Sequence, residues 1–229
     1  MIDWHSHVLP EMDDGSRSVE QSVELISMLA EQGVDTVIAT PHFYANDESV
    51  DSFLKRRASA YERLMAALPE GSPRILLGAE VSYYSGVSRL EGLSQLCIEG
   101  TKILLLEMPF ARWTEHTVRE ISSIALSGDI TLMLAHIERY MDMQSAGVFD
   151  ELSECGALMQ VNASFFNRFT TKRKALKMIN RGKIQVIGSD THNTTSRPPM
   201  LADAYSVIRK KYGEEFINEI NEFGNVLLG

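Results

Sequence analysis

Five of the six histidines in this chain stand in short polar motifs that close apolar, β-rich runs. The first motif is Asp3-Trp4-His5-Ser6-His7. Alternate side chains of a strand share a face, so His5 and His7 point the same way. Two neutral imidazoles on one face make a pair of metal ligands. The pair gains force from the motifs downstream of it: Thr40-Pro41-His42, Gly78-Ala79-Glu80, Leu106-Glu107-Met108-Pro109, Ala135-His136-Ile137-Glu138-Arg139 and Gly188-Ser189-Asp190-Thr191-His192. His5, His7, His42, His136 and His192 offer nitrogen, and Asp14, Glu80, Glu107 and Asp190 offer oxygen. About four to six donors satisfy one ion of the zinc or manganese kind. The larger mixed set predicts two or three divalent ions; manganese is the expected one, while the donor types themselves equally admit iron, zinc, cobalt or magnesium. No thiolate is among the donors, which points to a catalytic role. Adjacent ions bridged by hydroxide clamp the attacking and leaving oxygens of an in-line displacement, which is phosphoester chemistry. A guanidinium fork matches phosphate oxygens. Arg139 and Arg197 are the candidates, with Arg112 behind them.

Plainer readings compete at several positions. Asp13-Asp14-Gly15 also reads as an ordinary turn, His42 as a helix cap, and Arg139 as an ion-pair partner of Glu138 or Asp142. Glu80 and Glu107 end apolar runs, where an unpaired buried carboxylate is costly, so a ligand role explains them better. Asp3 reads as a residue that orients a histidine through its second ring nitrogen. Asp3 or His42 is also a candidate to protonate the leaving group. His116 reads as a surface or capping residue. Phe43, Tyr44, Tyr83, Tyr84, Phe110, Phe165 and Phe166 fall near strand ends and read first as packing residues of the rim.

The elements that must position these groups alternate. Apolar runs at Ile2–His5, Thr36–Ala39, Arg74–Ala79, Lys102–Leu106, Ile130–Ala135, Ala157–Val161 and Ile184–Ile187 are strands of a parallel sheet buried on both faces. Between them lie segments of helical period. In the first, Val19, Val23, Ile26 and Leu29 share a face, Ser18 with Gln21 forms a capping box, and Gly33 closes the C-terminus. The second spans 50–67 with Phe53, Leu54, Ala58, Tyr61 and Leu64 or Met65 as its buried stripe. Further helices fit 115–127, 147–155, 171–181, 199–211 and 213–222. Seven strand–helix units predict an α/β barrel. The polar motifs all fall at the C-terminal ends of the strands, the rim where such barrels build active sites.

The bulk properties narrow the function. The 229 residues, 44% hydrophobic and 23% charged, suit a single domain over 1–229. A net charge of −9 argues against a nucleic-acid partner. No run approaches the roughly 18 apolar residues of a membrane span, and no signal peptide is evident, so the expected location is cytoplasmic, without direct membrane insertion. Cys97 and Cys155 lack the Arg that a Cys-x5-Arg phosphatase loop needs, because Ile103 and Val161 stand there. They read as packing residues.

Taken together the motifs resemble the PHP (polymerase and histidinol phosphatase) superfamily, and within it the capsule-locus tyrosine-phosphatase branch of the CpsB/YwqE type. The resemblance rests on Asp3 to Pro10 with Asp13-Asp14-Gly15, on the motifs at His42, Glu80, Glu107 and His136, and on Ser189-Asp190-Thr191-His192-Asn193 with Arg197-Pro198-Pro199. It implies a distorted (β/α)7 TIM-like barrel of the PHP type and a trinuclear site on the ligands already named. It supports Asp14 as a ligand better than spacing does. It implies phosphate binding by Arg139 and Arg197 and hydrolysis of phosphotyrosine. The implied partner is the tail of a tyrosine autokinase of capsule or exopolysaccharide biosynthesis. Three alternatives stay open: a histidinol-phosphate-like small-molecule phosphatase, a nuclease of the same superfamily, and a non-catalytic kinase-binding regulator. Oligomeric state is also open.

Overall fold

The computed structural model describes residues 1–145 and 147–229. Parallel strands form its frame: β1 (Ile2–Ser6), β2 (Thr36–Ala39), β3 (His42–Phe43), β4 (Arg74–Leu77), β5 (Glu80–Ser82), β6 (Ile103–Glu107), β7 (Thr131–Leu134), β8 (Leu158–Asn162) and β9 (Val186–Gly188). They pair in the orders β1-β2-β4 and β3-β5-β6-β7-β8-β9. The sheet curls until its end returns to its start. Asp190 N donates to His5 O at 2.7 Å, and His7 N donates to Thr191 O at 3.0 Å.

Two runs expected to be simple strands with a motif after them are interrupted strands that resume. Pro41 has no N–H for the ladder, so pairing stops after β2 and restarts at His42. Gly78 turns its carbonyl out of the ladder to accept from the buried Arg57 Nη1 at 2.6 Å, and pairing restarts at Glu80. His42 and Glu80 thus stand on paired backbone, in register with each other.

Helices cover the outside: α1 (Val19–Glu31), α2 (Val50–Ala67), α3 (Glu115–Leu126), α4 (Val148–Glu154), α5 (Ser164–Asn167), α6 (Lys172–Asn180), α7 (Leu201–Tyr212) and α8 (Glu214–Leu228). Ser18 caps α1 by accepting from Gln21 N at 3.2 Å, while Gln21 Oε1 accepts from Arg17 N rather than from Ser18. The buried stripe of α2 is Val50, Phe53, Arg57, Ala60 and Leu64: the expected Phe53 and Leu64 are in it, the expected Leu54 and Tyr61 pack at its edge, and Arg57 and Ala60 take the place expected of Ala58. Ala58 and Met65 face solvent. Arg57 takes the core side because it can reach the Gly78 carbonyl and lie over the Phe53 ring. Helix α8 runs past its expected end, and Leu227 and Leu228 pack on the cluster of Ile2, Trp4, Ile38, Leu105 and Met133. That cluster uses the strand positions that alternate with those facing the helices, such as Val37, Leu104 and Leu132. The two cysteines are free, Cys97 buried and Cys155 half-buried.

Closure depends on one close approach. A Cβ at Gly188 would lie 2.5 Å from His5 Cβ and 2.9 Å from both His5 N and Gln160 Nε2. Backbone cannot yield there without opening the seam between β9 and β1. Gly188→Ala is therefore expected to lower unfolding free energy by about 1–3 kcal/mol in a denaturant titration. Wild-type stability would mean that the seam is loose.

Candidate metal centre

The expected donors converge at the C-terminal ends of the strands. His5 Nε2 and His7 Nε2 lie 3.1 Å apart. Glu80 Oε2 lies 3.2 Å from each of them and 3.1 Å from His42 Nδ1, and Glu80 Oε1 is 2.8 Å from His136 Nε2. Asp190 Oδ1 is 3.5 Å from both His7 Nε2 and His192 Nδ1. Glu107 reaches His136 Nε2 at 3.5 Å and His42 Nδ1 at 3.9 Å. Asp14, 66% exposed, closes the open side at 3.3 Å from His192 Nε2. Four overlapping sets of these atoms could each hold an ion: His7, Asp14, His42 and His192; His5, His7 and Asp190; His5, Glu80 and His136; His42, Glu80 and Glu107.

The outer nitrogens of four rings are tied. His5 Nδ1 faces Gln160 Oε1 at 3.3 Å, His7 Nδ1 faces Asp13 Oδ2 at 2.7 Å, His136 Nδ1 faces Tyr140 Oη at 3.1 Å, and His192 Nδ1 faces the Asp190 carbonyl at 3.0 Å. A partner on Nδ1 fixes the tautomer and leaves the Nε2 lone pair to a ligand. These Nε2 atoms point inward. Among the described residues, His192 Nε2 is buried without a hydrogen-bond partner, and so is His42 Nδ1, whose approach to Glu80 lacks hydrogen-bond geometry. Orphaned lone pairs of this kind are what a divalent cation satisfies, so the donor set fits such ions.

The electrostatics show the same crowding. Burial presses every group toward its neutral form. Against it, His5 and the other facing imidazoles hold Glu80 well below the usual carboxylate range, and they do the same for Asp190. Burial alone would lower His5 and His7, but Glu80 and Asp190 raise His5, and hydrogen bonds to Asp13, Asp190 and Glu80 raise His7 strongly. Burial prevails at His42 and His136, which are lowered, and at His192, lowered to about 4. Glu107 is pushed up to about 7 by burial and by the neighbouring Glu80 charge.

Local backbone serves the site. His136 and Asp190 adopt left-handed conformations, φ 31° and 53°, which non-glycine residues enter only under constraint. The turn at His136 opens Ile137–Arg139 and swings Arg139 Nη2 onto Asp190 Oδ2. Arg197 Nη2 meets the same oxygen at 2.8 Å. Asn193 Oδ1 accepts from the backbone N–H groups of Thr195, Ser196 and Arg197, and the Arg197 carbonyl accepts from His192 N and Thr191 Oγ1. This loop fixes where Arg197 begins. Both arginines line a cleft of about 450 Å³ with Asn162, Phe165 and Asp190. Arg112 is exposed and stands outside the lining of that cleft. His116 is exposed in the first turn of α3, after the Thr114 cap, the surface position expected of it.

Asp3 departs from expectation. It reaches no imidazole. Its carboxylate accepts from Ser189 N at 2.7 Å and Ser189 Oγ at 2.6 Å, with a longer contact to His5 N. The cause is a register irregularity between Asp3 and Ser6. An extra residue in β1 breaks the alternation, so Asp3 pairs beside the helix-facing Val37 while His5 and His7 turn inward. Burial raises its carboxyl to about 6, partly offset by Ser189.

Asp13, Gln160, Asn162 and Tyr140 are functional neighbours that sequence reasoning misses. Gln160 Oε1 also accepts from His136 N at 2.6 Å, and Asn162 Nδ2 donates to Asp190 Oδ2 at 2.7 Å. Their signal is two polar amides at alternate positions of an otherwise apolar strand. Among the aromatics, Phe43 is buried against Phe53, whereas Tyr44 stacks on His42 at 5.3 Å and is partly open.

The family description "capsular polysaccharide synthesis, CpsB/CapC" matches residues 1–225. The chain belongs to this family. It is 31% identical to the tyrosine-protein phosphatase CpsB of Streptococcus pneumoniae, over 96% of this chain and 94% of that protein. It is 30% identical to the tyrosine-protein phosphatase YwqE of Bacillus subtilis, over 100% of this chain and 91% of that one. A solved structure described as a metal-dependent tyrosine phosphatase, from work on those two proteins, superposes with a TM-score of 0.84 at 26% identity, covering 100% and 94% of the two chains. A TatD homologue from Escherichia coli shares the fold at a TM-score of 0.52 and 14% identity, over 99% and 97%.

The Glu107 shift has a testable sign in this family member. The folded chain holds a proton there that the unfolded chain releases above about 4.5, so stability falls as pH rises from about 4.5 to 7. With chelator at pH 8, Glu107→Gln is expected to unfold about 3 °C above wild type, and added Mn²⁺ should raise its midpoint less. An unchanged or lower midpoint in chelator would mean that Glu107 meets no net repulsion.

Proposed function

We propose that this protein is a metal-dependent tyrosine-protein phosphatase whose single catalytic unit spans 1–229. The observation that carries the reading is the set of inward Nε2 atoms, each ring held by its outer nitrogen. We count β2 with β3 and β4 with β5 as one strand each, which makes the curled sheet a distorted (β/α)7 barrel of the PHP type. His5, His7, Asp14, His42, Glu80, Glu107, His136, Asp190 and His192 would hold two or three ions, manganese first among the candidates. Bound divalent ions supply Lewis acidity and lower the pKa of coordinated water.

The chain's own residues do the rest. Arg139 and Arg197 both rest on Asp190 Oδ2, and a phosphoryl group entering the cleft offers them a better-matched set of oxygens. Their two guanidinium groups orient the phosphorus and neutralise charge as it develops on the equatorial oxygens. Asp13, Gln160 and Tyr140 keep the rings from turning. No thiol or hydroxyl stands among the donors to form a phospho-enzyme. The leaving phenolate, with a pKa of about 10, needs little protonation. Asp3 is fully buried with its carboxylate bonded to Ser189, so we assign it a structural role and no part in protonating that oxygen.

The substrate class follows from the relatives: a phosphotyrosyl protein, with the tail of a tyrosine autokinase of capsule or exopolysaccharide synthesis as our specific proposal. The cytoplasm is its proposed location, and no helix among the described residues is long and apolar enough to cross a membrane.

Phosphate release from a phosphotyrosyl peptide, a phosphoseryl peptide and histidinol phosphate tests the reading. Release from phosphotyrosine, abolished by chelator and restored by Mn²⁺, is expected. Turnover of histidinol phosphate alone would move the protein to small-molecule chemistry. His136→Ala should abolish release. Arg139→Ala should lower kcat/KM by about 10²-fold. Wild-type turnover by the His136 variant would sink the assignment.

A further inference from the structure

Seven of the 22 lysines and arginines of this acidic chain fall between Arg168 and Lys183, and no Asp or Glu lies between Cys155 and Ser189. Among the described residues only two of the seven pair with carboxylates: Lys174 with Asp142 at 3.5 Å and Lys183 with Asp150 at 2.5 Å. Lys172, Arg173 and Lys174 occupy the first turn of α6, which has no acidic residue and no side-chain cap. Cations there oppose the helix dipole and cost the helix stability, so folding does not account for them.

These charges border a surface groove between α6 and the end of α7. Phe169, Lys172, Arg173, Lys177, Arg181 and Lys211 line it, and Tyr212 Oη holds the two helices together by donating to the Leu176 carbonyl at 2.9 Å. Phe169 is 98% exposed at its mouth. The groove adjoins the arginine cleft through one turn of chain. Arg168 and Thr171 line the cleft, while Phe169, Thr170 and Lys172 line the groove. An extended ligand leaving the cleft crosses that turn and enters the groove.

We propose that this basic groove docks acidic residues flanking the phosphotyrosine of a peptide substrate, an inference that rests on the phosphatase reading. Charge complementarity supplies the attraction, and the single exposed ring of Phe169 offers an apolar contact between the charges. Continuity with the cleft favours a narrow extended chain over a flat anionic membrane, because only the chain occupies both. Docking of this kind acts on KM and weakens with salt.

The test uses the full chain and the variant Lys172→Glu/Arg173→Glu/Lys177→Glu, three exposed positions outside the arginine cleft. Substrates are a phosphotyrosyl peptide with Asp and Glu flanks, the same peptide with Asn and Gln flanks, and p-nitrophenyl phosphate. At low ionic strength the wild type is expected to favour the acidic peptide by about tenfold in kcat/KM, through KM, with the preference shrinking as salt rises. The variant should lose that preference and hydrolyse p-nitrophenyl phosphate as the wild type does. Its unfolding midpoint should stay close to that of the wild type, since the acids at 172 and 173 suit the first turn of α6 and offset the one placed in its last turn at 177. A wild type without preference, or a variant that keeps it, overturns the proposal. Anisotropy of a labelled acidic peptide reads docking without catalysis. Salt-sensitive binding lost in the variant, with no ester hydrolysed, would support the groove and refute the phosphatase reading alone. Co-sedimentation of wild type but not variant with phosphatidylglycerol vesicles, without peptide discrimination, would overturn the proposal in favour of a membrane surface.

Discussion

The Glu80 carboxylate is 1% exposed and has imidazole nitrogens of His5, His7, His42 and His136 within 3.2 Å. This carboxylate and the four imidazoles have given up water without fully satisfying one another. His42 Nδ1 and His192 Nε2 lie beside carboxylates yet make no hydrogen bond among the described residues. Such a cluster is tolerable to a fold only when something with more charge than a proton completes it, and a divalent ion does so. The surroundings then acquire a reason. Asp13, Gln160, Tyr140 and the Asp190 carbonyl tie the outer ring nitrogens, and the two arginines balance the buried Asp190 carboxylate.

Holding that cluster sets geometric demands on the sheet. The candidate ligands come from β1 and the segment after it, from β3, β5 and β6, from the turn after β7 and from the loop after β9, so the sheet must curl until its end meets its start. Gly188 permits the meeting, and the irregularity in β1 turns both histidines inward while sending Asp3 to the other side. The left-handed His136 and Asp190 place strain at the same site, compensated by the closed sheet around it.

Much of this is legible in the sequence because it depends on period and type. Apolar runs and helical stripes locate the elements, and the polar motifs at strand ends place the donor set. What escapes depends on relations between distant segments. Strict alternation puts Asp3 with His5 and His7, and no local signal marks the extra residue that separates them. The stripe of α2 is read in part, with Ala58 in place of Arg57, because Arg57 looks like a surface residue until the Gly78 carbonyl is seen beside it. Asp13 is overshadowed by its neighbour Asp14, although it is Asp13 that bonds His7 and the backbone N–H of His42. Gln160 and Asn162 are hidden in a strand that reads as plain core, where two amides in an apolar run are the clue.

Whether the inward nitrogens form an ion site is decided most directly by calorimetric titration of the chelator-stripped protein with Mn²⁺ near pH 6.5, in two buffers of different protonation enthalpy. Two or three ions per chain should bind, with net proton release, because the facing carboxylates raise His5 and His7 and a bound cation competes with protons for the same nitrogens. Fewer than one ion per chain, or uptake without proton release, would contradict an ion site built on these nitrogens.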